Sequence, residues 1–86
     1  MPEISRFYGI VIRMYFSDHP PPHFHAMYGE NMVKIEIATL RIIAGSLPPR
    51  ALGLVMEWAA LHQADLERAW RQASIPSSVD PIDPLR

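Results

Sequence analysis

The chain has 86 residues, with eight Lys and Arg against nine Asp and Glu, and a formal net charge of −1 at pH 7. This balance excludes a basic protein that coats nucleic acid, and the absence of cysteine excludes disulfides and thiolate metal sites. The hydrophobic fraction of 49% is too high for a disordered chain and predicts one folded domain. The sequence shows neither a long apolar run nor a signal segment, so we expect a cytoplasmic protein that does not contact a membrane.

Alternating apolar and β-branched residues predict strands in the first half of the chain. Four strands are expected, at residues 7–16, 23–28, 32–38 and 40–44. Gly29-Glu30-Asn31 has the composition of a hairpin turn, and three consecutive prolines at 20–22 predict a stiff loop because they donate no ladder hydrogen bonds. The expected fold class is α+β, with a small, mainly antiparallel sheet of three or four strands.

One long C-terminal helix is predicted to pack on this sheet. Apolar residues recur at spacings of three and four from about Arg50 to Ser74, and Pro76 prevents continuation. Such a helix is about 36 Å long and overhangs strands of about 23 Å. Its far end needs cover, either from the tail or from a second chain, and the candidate interface residues are Leu66, Trp70 and Ala73. We therefore expect one domain over residues 1–74 and an irregular, Pro-rich tail over 75–86.

The least common feature is the segment Asp18-His19-Pro20-Pro21-Pro22-His23-Phe24-His25, which holds three of the four histidines. His23 and His25 project from the same face of a strand, with Cα atoms about 6.7 Å apart, so both imidazoles can reach one cation. A hairpin loop with an even number of residues places Glu36 on the same face. Glu36 then lies opposite His23 if the loop has two residues, or opposite His25 if it has four.

These residues indicate a candidate cofactor, a divalent metal ion such as zinc or iron, and the sequence supports no other cofactor. The candidate ligands are His23, His25 and Glu36. Asp18 and His19 are candidates for orienting the ligands or for acting as catalytic acid or base. The alternative is a hydrogen-bonded histidine pair without a metal, which is the commoner meaning of such short clusters. His62 lies on the apolar stripe of the predicted helix and is either a core histidine or an additional member of the site.

Several segments carry a resemblance to a known family. They are Met1-Pro2-Glu3-Ile4-Ser5-Arg6-Phe7-Tyr8-Gly9-Ile10, Asp18–Ala26, Tyr28-Gly29-Glu30, Glu57-Trp58 and Leu61-His62. Together they resemble the bacterial domain-of-unknown-function 4160 family over nearly the whole chain. The resemblance implies a stand-alone bacterial protein encoded beside a short partner, as in toxin and antitoxin pairs. It implies no activity and therefore assigns no catalytic role to any histidine. One departure is Thr39-Leu40-Arg41, which stands where a glycine-type turn is expected.

Two functions remain open at this point. The first is an interaction or regulatory module that binds a small partner protein or a second copy of itself, one form of which is a component of a toxin and antitoxin pair. The second is a metal-dependent hydrolase or nuclease in which the ion activates water. Non-specific nucleic-acid binding is not expected, because the strip of basic residues is modest at a net charge of −1. Its members are Arg6, Arg13, Lys34 and Arg41.

Overall fold

A computed structural model of the chain describes residues 3–74 and 79–86. Five strands precede two helices: β1 (Glu3–Phe7), β2 (Ile10–Arg13), β3 (His23–Tyr28), β4 (Asn31–Glu36), β5 (Ile42–Gly45), α1 (Pro49–Leu61) and α2 (Gln63–Ala73). The strands form one sheet in the order β1-β2-β3-β4-β5, and every neighbouring pair is antiparallel. Within the described residues, no helix has the length and apolar character needed to cross a membrane.

The prediction of three or four strands was wrong because residues 7–16 contain a hairpin turn. Tyr8 and Gly9 both have positive φ, at 50° and 79°. Two consecutive residues at positive φ form the tight turn whose twist matches that of the flanking antiparallel strands. Glycine adopts this conformation without steric cost. The turn divides the predicted first strand and adds β1 at one edge of the sheet.

The prediction of one long helix was also wrong, because the helix is interrupted at His62. This residue has φ −125° and ψ 25°, outside the helical region, and its N–H donates to the carbonyl of Ala59 at 3.1 Å. The side chain of Gln63 donates to the carbonyl of Ile37 at 2.8 Å, which ties the start of α2 to the end of the sheet. The interruption gives α2 its own direction, so that Leu66 and Ala73 are buried inside the chain instead of overhanging it.

The two helices cover one face of the sheet, which we call the inner face. Trp58 of α1 is fully buried, and its ring lies 5.3 Å from that of Phe7 and 5.9 Å from that of Phe24. The described part of the tail closes this core, since the Trp58 indole N–H donates to the carbonyl of Asp83 at 2.8 Å and Ile82 is buried. Residues 75–78 of the predicted tail lie outside the described residues.

The hairpin of β3 and β4 has the register expected for a two-residue loop. Phe24 pairs with Ile35 and His23 pairs with Glu36, with Gly29-Glu30 as the loop between the strands. Because side chains alternate along a strand, the buried Phe24 faces the helices and both His23 and His25 lie on the opposite, outer face. The sheet therefore presents two imidazoles side by side on its outer face.

Candidate metal centre

Three side chains of ligand type meet on the outer face at the start of β3: Asp18, His23 and His25. One ligand atom of each lies within 4.8 Å of the other two. The Nε2 of His23 is 2.9 Å from Oδ2 of Asp18, and the Nε2 of His25 is 3.5 Å from the same oxygen. Two imidazoles and one carboxylate thus converge on a small volume.

The loop between β2 and β3 brings Asp18 back over the strand. Ser17 has φ 53°, and its N–H donates to the carbonyl of Ala73 at the end of α2, at 3.0 Å. The Oδ1 of Asp18 accepts the N–H of His19 at 2.8 Å. These two bonds fix the aspartate side chain with its second oxygen towards the histidines.

The hydrogen bonds of His23 determine what its second nitrogen can do. The Nδ1–H of His23 donates to the carbonyl of Pro21 at 2.7 Å, and because a carbonyl only accepts, Nδ1 must carry a proton. In the neutral ring, the lone pair of Nε2 then faces the carboxylate of Asp18 at 2.9 Å. Two electron-rich atoms at this distance need a proton or a metal ion between them. A carbonyl that orients one ring nitrogen while the other binds the ion is the usual environment of a metal-ligating histidine.

His25 is buried without a hydrogen-bond partner. It is 9% exposed, and neither of its ring nitrogens forms a well-directed hydrogen bond among residues 3–74 and 79–86, although Oδ2 of Asp18 lies 3.5 Å from its Nε2. The ring of Tyr15 packs edge-on against it at 4.5 Å. An unsatisfied buried polar group costs about 1–3 kcal/mol, so the position is unfavourable for a purely structural histidine. Burial lowers the pKa of His25, and the carboxylate of Asp18 offsets part of this effect. The ring is therefore neutral at pH 7, as ligation requires.

Asp18 supplies the negative charge of the site. Burial raises the pKa of this carboxyl group, but the hydrogen bond from the His19 N–H and the interaction with the His23 ring outweigh that effect and leave the pKa below its ordinary value. The side chain is therefore a carboxylate at neutral pH. The site combines a carboxylate with two imidazoles, a donor set that suits zinc and ferrous iron.

A cavity of about 240 Å³ opens beside Asp18. The indole of Trp70, on α2, lies 5.2 Å from the His23 ring and forms one wall. The residues that line the cavity are Tyr15, Ser17, Asp18, Pro20, Trp70, Ala73 and Ser74. One water occupies about 30 Å³ in the liquid, so the cavity has room for water and for a small organic group beside the three side chains.

The other predicted site residues lie elsewhere. Glu36 is opposite His23 in the ladder, but its Oε1 accepts the hydroxyl of Thr39 at 2.8 Å, and it is not part of the cluster. His19 is exposed on the loop. His62 lies at the interruption between the helices and bonds Asp65 at 3.0 Å. The sequence interpretation treated Asp18 as an orienting group or acid–base catalyst, whereas the geometry makes it the third ligand-type group.

The candidate interface residues are accounted for within the chain itself. Leu66 and Ala73 are buried in the core, and Trp70 is half-buried between His23 and the cavity. In this fold, Trp70 belongs to the surroundings of the candidate metal centre.

Comparison with known proteins gives one match. The family model described as Domain of unknown function (DUF4160) matches residues 9–71, which include the loop, β3 and α1. No curated protein and no solved structure matches the chain.

Proposed function

Since the chain belongs to the family described as Domain of unknown function (DUF4160), we propose its function from the site: it binds a divalent transition-metal ion through Asp18, His23 and His25 and is a metal-dependent hydrolase. The observation that carries this proposal is the burial of His25 with both ring nitrogens lacking a partner among the described residues. In addition, the Nε2 of His23 faces the carboxylate of Asp18 at 2.9 Å. An ion coordinated by all three side chains would give the Nε2 of His23, the carboxylate of Asp18 and one ring nitrogen of His25 a partner.

The donor set defines the class of metal and the chemistry. Zinc with three protein ligands keeps at least one position open for water, and ferrous iron accepts the same two imidazoles and one carboxylate. A bound zinc ion lowers the pKa of its water to about 7 and so creates a nucleophile at neutral pH. Asp18, His23 and His25 would hold the ion, and the ion would supply activated water for hydrolysis, in which the water oxygen replaces the leaving group and a proton goes to that group. The cavity beside Asp18 would admit the substrate on the Asp18 side of the ion.

Calorimetric titration of the untagged protein with zinc chloride tests the proposal. We expect one zinc ion per chain, and we expect the variant His25→Gln to lose this binding. The matched control is His19→Gln, which removes an exposed histidine of the same loop and should leave zinc binding unchanged. Failure of the wild-type protein to bind zinc or ferrous iron would contradict the metal centre, and unchanged binding by His25→Gln would contradict the ligand assignment.

We propose self-association as a second candidate function, supported by the edge strand β5. This strand contains no charged residue and no proline, the devices by which exposed edges usually prevent pairing with another chain. Ile42 and Ile43 on it are 47% and 42% exposed. A second copy paired antiparallel at β5 would cover these side chains and continue the sheet. Binding of a toxin or antitoxin partner is a separate form of interaction, and it rests on the family resemblance alone.

Sedimentation velocity tests the self-association. The wild-type protein should sediment as a dimer at micromolar concentration, and Ile43→Lys should sediment as a monomer. Leu61→Lys is the control, because Leu61 is 69% exposed on α1 and not on the sheet edge. A monomeric wild-type protein at 100-fold higher concentration would contradict this candidate.

A further inference from the structure

Two basic side chains flank His25 on the outer face of the sheet. Arg13 of β2 and Lys34 of β4 are the direct ladder partners of His25 on either side. Directly paired residues of antiparallel strands point to the same face, with Cβ atoms about 4.5–5.5 Å apart. Arg13, His25 and Lys34 therefore form a row across three strands, and both basic residues are partly buried.

Neither positive charge forms an ion pair within the described part of the chain, although Glu3 lies near enough to Arg13 to feel its charge. Glu3 pairs with Arg13 in the ladder, but its carboxylate binds Arg6 at 2.7 Å. The ion pairs among the described residues use neither Arg13 nor Lys34. Two cationic groups thus lie beside the candidate metal centre with their donors available.

A metal ion at this position makes the local charge strongly positive. The ion, Arg13 and Lys34 together carry more charge than Asp18 and Glu36 balance, and like charges held at such distances repel one another. Binding an anion between them removes the repulsion. Arg and Lys are the side chains that donate charge-assisted hydrogen bonds to phosphate oxygens.

The number of cationic groups selects the kind of anion. From the proposed function and these two side chains together, we infer that the metal centre takes a phosphate monoester as its substrate. A monoester dianion has three terminal oxygens, one for the ion, one for the guanidinium of Arg13 and one for the ammonium of Lys34. A carboxylate has too few oxygens for this, and a phosphodiester carries a single negative charge and has one terminal oxygen fewer.

The cavity provides a place for the organic part of the ester. It opens on the Asp18 side of the site, whereas Lys34 lies on the strand beyond His25. The phosphate would therefore lie towards the sheet and the alcohol part towards Trp70 and Tyr15, whose aromatic rings favour an apolar or planar group.

Phosphate binding to the zinc-loaded protein tests this inference separately from metal binding. The probe is inorganic phosphate, titrated calorimetrically into protein that already holds one zinc ion per chain. Arg13→Gln and Lys34→Gln should each weaken phosphate binding by about tenfold or more, as expected for the loss of one charge-assisted hydrogen bond, and should leave zinc stoichiometry unchanged. Arg50→Gln is the matched control, because Arg50 lines a different cavity with Tyr8 and Tyr28 at the other end of β3. It should bind phosphate like the wild type.

The outcomes separate the two proposals. A protein that binds zinc but not phosphate, or whose phosphate affinity is unchanged in both variants, would overturn this inference and leave the metal centre standing. A protein that binds no metal would overturn both. With chromogenic substrates, the zinc-loaded enzyme should hydrolyse 4-nitrophenyl phosphate faster than bis(4-nitrophenyl) phosphate, and the opposite preference would overturn the choice of a monoester.

Discussion

Zinc should stabilise this protein against heat, because the fold holds ligand atoms of Asp18, His23 and His25 within 4.8 Å of one another, an arrangement that the unfolded chain does not maintain. A ligand present at 100 times its dissociation constant, and bound only by the folded state, adds about 2.7 kcal/mol to the free energy of unfolding. For 86 residues, the entropy of unfolding near the melting temperature is about 180 cal/mol/K. The ratio of the two quantities predicts that the melting temperature rises by about 15 °C.

Thermal melts followed by circular dichroism, with zinc and with EDTA, measure this rise. The informative quantity is the difference between the two melts of the same variant, which removes any effect of the substitution on the metal-free fold. His25→Gln should lose most of the difference, and Asp18→Asn should reduce it. His19→Gln should retain it in full. An equal rise in wild type and His25→Gln would refute the reasoning, because the stabilising ion would then be bound elsewhere.

Three further predictions concern the metal-free fold. Burial lowers the pKa of His25 in the folded state, so the unfolded chain takes up a proton first as the pH falls below about 6.5. Urea denaturation in EDTA should therefore show the free energy of unfolding decreasing between pH 7.5 and 5.5. The decrease should be smaller in His25→Gln. Ile82→Ala removes a side chain that is 5% exposed and should cost about 2–5 kcal/mol by the same assay, whereas a similar loss in the control Leu61→Ala would show that the docked tail contributes nothing specific. Gly53→Ala should stabilise α1 by up to about 1 kcal/mol, since no atom lies within 4 Å of the added Cβ. Gly9→Ala should destabilise the β1–β2 turn, because φ at this residue is 79°. Changes in stability of the same sign for both variants would contradict the assigned backbone conformations.

Patterns along the chain were sufficient where structure depends on near neighbours. The hairpin of β3 and β4 follows from a turn dipeptide, Gly29-Glu30, between two segments with an apolar face. A shift of one residue would turn Phe24 away from the helices and His23 towards them, so burial selects a loop with an even number of residues, and the structure shows that the loop has two. The placement of His23 and His25 on one face is a consequence of the same alternation.

The same sequence patterns gave wrong predictions where the local structure depends on contacts with distant parts of the chain. The apolar stripe that predicted one helix continues through His62 to Leu66 and contains no sign of an interruption. Where the helix ends, the Gln63 side chain bonds the Ile37 carbonyl at the end of the sheet, a partner from a distant part of the chain. Likewise, Tyr8 and Gly9 lie inside a run of strand-forming residues, where one glycine is a weak signal for a turn.

The candidate metal centre was likewise predictable from the sequence only in part. The sequence by itself determined that His23 and His25 share one face of a strand, because side-chain direction has a period of two. Only the tertiary structure decided the third group. Asp18 reaches the histidines because the Ser17 N–H bonds the end of α2 and holds the loop over the strand, while Glu36, the nearer residue in the ladder, is held by Thr39. A loop's path depends on contacts formed after the whole chain has folded, and no local spacing encodes them.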